Sequence, residues 1–182
     1  MQAKPISDPW LSFLRDVDEF VTDETHFHCL GGFVVTVVYG ATRTTSDVDT
    51  LSLVQDVPGL LEYAREGSPL HKKHKVYLQE VGVAPIPENY EDRLTEPFPG
   101  TFKKLRLFAL DPYDVALAKI ERNGDKDRDD VKYLARVVPF DLDTLRKRYE
   151  EELRPMLGIA EREDLSLRLW IEMIEEERES SS

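Results

Sequence analysis

The chain has 182 residues, 41% hydrophobic and 33% charged, enough for one sizeable core or a small domain with a helical appendage. Its net charge of −12 makes it a poor general binder of nucleic acid. The longest apolar runs, such as residues 33–39, are far too short to cross a bilayer, so no membrane partner is expected.

The opening Met-Gln-Ala-Lys-Pro lacks the apolar core of a signal peptide, and Cys29 stands alone. With one cysteine there is no internal disulfide and no cysteine zinc cluster, and a reducing, cytoplasmic setting is expected. Asp8-Pro9 reads as a helix start, and Leu11, Leu14, Val17 and Val21 give residues 9–22 an amphipathic helical period. Residues 26–30 read as a short strand ending at Gly31-Gly32. Residues 33–39 are rich in β-branched side chains, and propensity alone favours a strand there. A strand over 47–54 would put Asp47, Asp49, Leu51 and Leu53 on one side and Val48, Thr50, Ser52 and Val54 on the other. A short helix is expected after Pro58 up to Glu66, then a strand over 75–83, a proline-rich loop over 84–101 with room for one strand, and a strand over 105–110.

Beyond this point the pattern turns helical. Asp111-Pro112-Tyr113-Asp114 opens a helix running to about Arg122, stopped by Asn123-Gly124. Asp125 is expected to cap the next, which carries Val131, Leu134 and Val138 and ends at Pro139. Two further helices are expected, over 141–153 and 163–178. The last has Leu165, Leu169 and Met173 at spacing four beside Trp170 and Ile174, a stripe that packs on its own domain or on a second copy, so a homodimer is one outcome. Strands first and helices later mean an α+β or α/β core (residues 1–110), a helical C-terminal part (111–179) and a loose tail (180–182).

The charge is uneven. From Glu150 onward, 11 acids and 4 bases leave −7, and residues 1–149 carry −5. An RNA substrate would have to meet the basic stretches at 71–75, 103–106 or 146–148, which read equally as solvated surface charge.

Chemistry concentrates at Asp47-Val48-Asp49. Two carboxylates two apart on a strand share a face, repel each other, and need a compensating cation. Magnesium suits such a pair, because it binds through one or two carboxylates together with substrate phosphates. Upstream, Gly31-Gly32 permits an unusual turn and close backbone approach. A helix starting there would aim free amides at an anion. Arg43, in the polar loop before the acids, either clamps phosphate or pairs with Asp47 or Asp49. Lys119 lies in an apolar helical run, where it must meet a charge or reach solvent. His26 and His28 alternate on a strand and read as polar strand residues rather than metal ligands.

The set Gly31-Gly32, Tyr39-Gly40, Arg43, Thr45, Asp47 and Asp49 resembles the nucleotidyltransferase superfamily, and its wording resembles the small bacterial proteins related to AbiEii-type toxins. Asp114, Lys119, Arg122, Lys126-Asp127 and Asp130 resemble a later motif of the same relatives, so the likeness covers residues 26–137. The resemblance implies an α+β fold, a DNA polymerase beta-like mixed sheet with a helical C-terminal part, in which the glycine pair opens a helix. It implies transfer of a nucleotidyl group from a nucleoside triphosphate to a tRNA or other RNA end, or to a protein, with an antitoxin as partner in a toxin–antitoxin or phage-defence setting. Asp47 and Asp49 would hold Mg2+; Gly31, Gly32, Arg43, Thr45 and Lys119 would hold the nucleotide; Lys119 and Asp127 would assist catalysis. A third metal-binding acid is expected on the strand after the pair, where Glu80 is the sole acid but alternates with Val76 and Leu78. Without that acid, the same fold would serve as a nucleotide-binding module or inhibitor subunit.

Overall fold

A computed structural model describes residues 5–51 and 57–180, and the chain divides into two compact units. The first takes in residues up to 83 together with 94–110; the second takes residues 84–93 and those from 111 onward. The segment 84–93, counted above with the first part, thus folds with the helices. The α+β class with a helical C-terminal part is what the structure shows. Among the described residues no helix is long and apolar enough to cross a membrane.

In the first unit, helix α1 (Trp10–Phe20) buries Trp10, Phe13, Leu14 and Val17, the side its apolar period marks. Asp8 caps it by accepting from Ser12 N at 3.0 Å. Strand β1 (Thr25–Leu30) leads into the helix α2 (Gly31–Phe33), which continues as a π-helical turn over Val34–Val38. Tyr39 N donates to Val34 O, five residues back, at 3.1 Å. The β-branched run is therefore helical. Phe33, Val34 and Val35 are fully buried, and this burial outweighs the few tenths of a kcal/mol per residue by which propensity disfavours valine in a helix.

Strand β2 (Asp47–Leu51) follows. Ser52, Leu53 and Val54, expected to extend it, lie outside the described residues, as do Ser181 and Ser182 of the expected loose tail. Helix α3 (Leu60–Ala64) comes next, and helix α4 (Pro69–His74) is capped by Ser68, whose Oγ accepts from His71 N at 3.0 Å. Strand β3 (Tyr77–Val81) and strand β4 (Leu105–Ala109) complete a four-stranded sheet in the order β3-β2-β1-β4. β1 runs antiparallel to β2 and parallel to β4, and β2 runs parallel to β3. One face of the sheet carries buried Phe27, Cys29, Val48, Leu78, Leu105 and Leu107.

Asp18 ties α1 to the start of β4. Its carboxylate accepts from the backbone N–H of Lys103, Lys104 and Leu105 at 3.1, 2.7 and 2.7 Å. Burial opposes the charge, but the three donors outweigh it and hold the carboxyl below its ordinary range. Asp18→Ala is expected to lower stability by about 2–3 kcal/mol, because charge-assisted bonds are lost and the buried Leu105 N–H is orphaned. Urea denaturation at neutral pH measures this.

In the second unit, Asp111 caps helix α5 (Pro112–Leu117) by accepting from Tyr113 N and Asp114 N. α5 is shorter than expected and gives way to turns before Asn123, whose φ is +44°. Helix α6 (Asp125–Val137) is capped by Asp127 rather than by Asp125, since Asp127 Oδ2 accepts from Gly124 N at 3.0 Å. Helix α7 (Leu142–Arg148) runs through a π-helical turn to Leu153, and helix α8 (Glu161–Ser180) closes the unit. Tyr149, Leu153, Trp170, Ile171 and Ile174 fill its core.

Candidate active site

Within the first unit, the glycine turn, the polar loop and the acid strand come together. Asp47 and Asp49 lie on one face of β2, each half-buried. Asp49 stands in register with Leu30, the last residue before the glycines. Gly31 takes φ +65°, the left-handed region that glycine enters freely. A Cβ there would collide with Asp49 Oδ2, and would lie 2.8 Å from Asp49 Cγ. Gly32 N donates to Asp49 Oδ2 at 3.3 Å. A Cβ on Gly32 would meet Thr45 Oγ1 at 2.6 Å and an Arg43 guanidinium nitrogen at 3.0 Å. Thr45 Oγ1 in turn donates to Asp47 Oδ1 at 2.7 Å. Each carboxylate is thus held by a neutral donor, and the missing side chains at 31 and 32 leave the room in which Asp49, Thr45 and Arg43 pack.

The charge of the pair reaches its neighbours. Burial chiefly, and then the Asp49 carboxylate, pushes the Cys29 thiol far above its ordinary range, so it stays protonated. Tyr77, in register with Asp47, has its phenol raised by burial and then by the charges of Asp47 and Glu66.

Glu80 does not join the pair. It is in register with Thr50, on the opposite face of the sheet from Asp47 and Asp49. Gln79 is the residue in register with Asp49. Alternation already grouped Glu80 with Val76 and Leu78, and both of those are buried. Among the described residues no three or more His, Cys, Asp or Glu side chains gather to hold a metal. His26 instead pairs with Glu24 at 2.9 Å and packs edge-on against Phe108.

Inside the second unit, the downstream candidates form a cluster of their own. Lys119 is 3% exposed, with Nζ 2.9 Å from Asp130 Oδ2 and 3.6 Å from Asp127 Oδ1. Arg122 grips Asp127 with two bonds, at 2.8 and 2.5 Å. Burial raises the pKa of Asp127, but Arg122, the Gly124 N–H and Lys119 outweigh it and hold the carboxyl below its usual range. Asp114 is fully buried between Arg93 and Arg148, and there burial wins and the carboxyl is raised. Arg93, which also bonds Glu152 at 2.8 Å, ends a short 3-10 turn (Tyr90–Arg93), and no periodicity marks it.

The basic stretches are largely engaged at home. Lys73 and His74 both bond Asp16, Arg106 bonds Glu96, Arg146 bonds Asp143 and Arg148 bonds Asp111.

A family described as a nucleotidyltransferase of unknown function (DUF6036) matches residues 13–178, nearly the whole chain. The chain belongs to that family. Comparison with curated proteins and with solved structures gave no match. Asp47, Asp49, the glycine turn and the Lys119 cluster all lie in the matched span.

Proposed function

We propose that the chain transfers a nucleotidyl group from a nucleoside triphosphate to an RNA end or a protein. The observation that supports this most is the Gly32 N–H bond to Asp49, which sets an acid pair against a helix that starts on two glycines. In this reading an acceptor oxygen attacks the α-phosphorus. The bond from that phosphorus to the bridging oxygen of the β-phosphate breaks, pyrophosphate leaves, and the acceptor proton passes to solvent.

Asp47 and Asp49 suit magnesium: two half-buried carboxylates on one strand face, each steadied by a neutral donor, match an ion that completes its shell with water and phosphate oxygens. Bound there, magnesium would neutralise the triphosphate and make the attacking oxygen more acidic. Thr45 and Gly32 orient the two acids. Arg43, beside Gly32, supplies positive charge for the phosphates. Lys119 and Asp127 serve this reading through the integrity of the second unit, since both are held in its buried ion cluster.

A second reading has one observation behind it. Gln79, in register with Asp49, adds no charge to the acid face, which suits a module that binds nucleotide and turns it over poorly.

The test incubates wild type and Asp49→Asn with magnesium, each of four labelled nucleoside triphosphates, and total RNA or cell lysate. Label reaching RNA or protein with wild type, and at least about a hundredfold less with the variant, is the expected result; losing a ligand to the charge-neutralising group costs on that order. Magnesium-dependent nucleotide binding by calorimetry without transfer would favour the binding module. Neither binding nor transfer would defeat both readings.

A further inference from the structure

Helix α8 has two unlike sides. Trp170, Ile171 and Ile174 are at most 4% exposed and face the core of the second unit. Leu165 and Leu169 remain 44% and 49% exposed. At about 100° per residue, Arg162, Leu165, Leu169, Met173 and Glu176 share an arc of roughly 80° on the solvent side. The stripe reads cation, apolar, apolar, apolar, anion.

That order is symmetric about Leu169. Arg162 and Glu176 lie seven residues to either side of it, and Leu165 and Met173 lie four. On one flank of the stripe, Arg168 and Glu172 straddle nearly the same centre, and both are exposed. We propose that α8 packs against α8 of a second copy of this chain, antiparallel, about a two-fold axis at Leu169. Leu169 then meets the partner's Leu169, and Leu165 meets the partner's Met173. Arg168 faces the partner's Glu172, and Arg162 faces the partner's Glu176. A two-fold contact requires one patch to be its own complement, and this patch is.

Charge decides between the alternatives. Parallel pairing would set Glu172 and Glu176 against their own copies, and like charges in register are repulsive. A basic helix from another protein would suit the acidic C-terminal half and oppose Arg162 and Arg168. The antiparallel second copy sets Arg162 and Arg168 against glutamates, and the repulsion it leaves is confined to the helix ends, where exposed Glu161 faces the partner's Glu179. With three apolar residues per side and a net charge of −12 on each chain, the pairing is weak and tightens as salt screens the overall repulsion.

The test is sedimentation of the full chain at micromolar to submillimolar concentration in physiological salt. Wild type is expected to approach twice its 21.0 kDa mass as concentration rises. Leu169→Asp is expected to weaken association at least tenfold with an unchanged melting temperature, because the position is half-exposed. Arg168→Glu is expected to weaken it about tenfold, and adding Glu172→Arg is expected to restore it, as a facing ion pair predicts. Cys29 is buried, so Leu169→Cys gives a clean cross-link on mild oxidation, and Glu175→Cys, off the stripe, does not. A wild type that stays monomeric, a dimer indifferent to Leu169→Asp, or equal cross-linking at 169 and 175 would each overturn the proposal.

Discussion

Gly31→Ala is expected to abolish nucleotidyl transfer and to destabilise the first unit by about 2–4 kcal/mol, the sum of left-handed strain and a steric clash with little room to relax. The new methyl would land on Asp49 Oδ2, and φ is +65°. Asp49 yields by turning its carboxylate away from Gly32 N, which breaks that bond and changes the spacing of the acid pair. Gly32→Ala is expected to be milder. Its methyl meets the Thr45 hydroxyl and the end of the Arg43 side chain, and both can rotate. Thermal denaturation ranks the two variants, and the label-transfer assay reads the loss of function. A Gly31→Ala protein with wild-type activity would mean that the close approach of Asp49 to the turn is unnecessary.

Lys119→Met is expected to cost about 3–5 kcal/mol, because removing one partner from a buried ion cluster leaves charge without compensation. Asp130 loses a partner at 2.9 Å in surroundings where lysine and both acids are nearly inaccessible. Adding Asp130→Asn removes the stranded charge, so the double variant is expected to regain most of the loss. The pH dependence has a definite sign. Asp127 has a lowered folded pKa, so its stabilisation is complete above the ordinary carboxylate value and is lost as pH falls through the lower one. Lys119→Met withdraws one cause of that lowering, and the acid limb of its stability curve is expected to be shallower than that of wild type. Denaturant titrations from neutral to acid pH measure both effects. A variant within about 1 kcal/mol of wild type would show that the lysine does not close this cluster.

The acid strand, the glycine turn and the later helices were legible because each carries a local signature: alternation, a Gly-Gly break, or Asp and Pro at a helix start. Glu80 shows where such reading ends. Alternation along β3 correctly grouped it with Val76 and Leu78, but which β3 residue stands beside Asp49 depends on register between strands, and register is a property of the pairing. Helix α4 was missed because His71, Lys72, Lys73 and His74 have no apolar period, and Leu70 is its one buried residue. Residues 33–38 went the other way: side-chain shape pointed to a strand, and only the family resemblance pointed to the helix that is found. Lys119 was recognised as needing a charge, and that charge proves to be Asp130 first and Asp127 second. Arg93 had no sequence signal, because its role comes from a single 3-10 turn that brings it to Asp114 and Glu152, both distant in sequence.

Asn123 has a backbone φ of +44°, its side-chain oxygen accepts from Trp170 Nε1 at 2.8 Å, and its amide nitrogen donates to Ser166 Oγ at 3.1 Å. Those three demands together favour asparagine. Glycine meets the backbone demand and supplies neither bond. Aspartate accepts from the indole, but it can keep the serine only if that hydroxyl turns to donate, and it brings a charge into a part-buried site, while glutamine carries the right groups one methylene too far out and is less at ease in the left-handed region. A library randomised at this codon and sorted for folded protein should therefore return asparagine first and aspartate second, whereas its neighbour Glu121, exposed in the preceding turn, should drift across most of the alphabet.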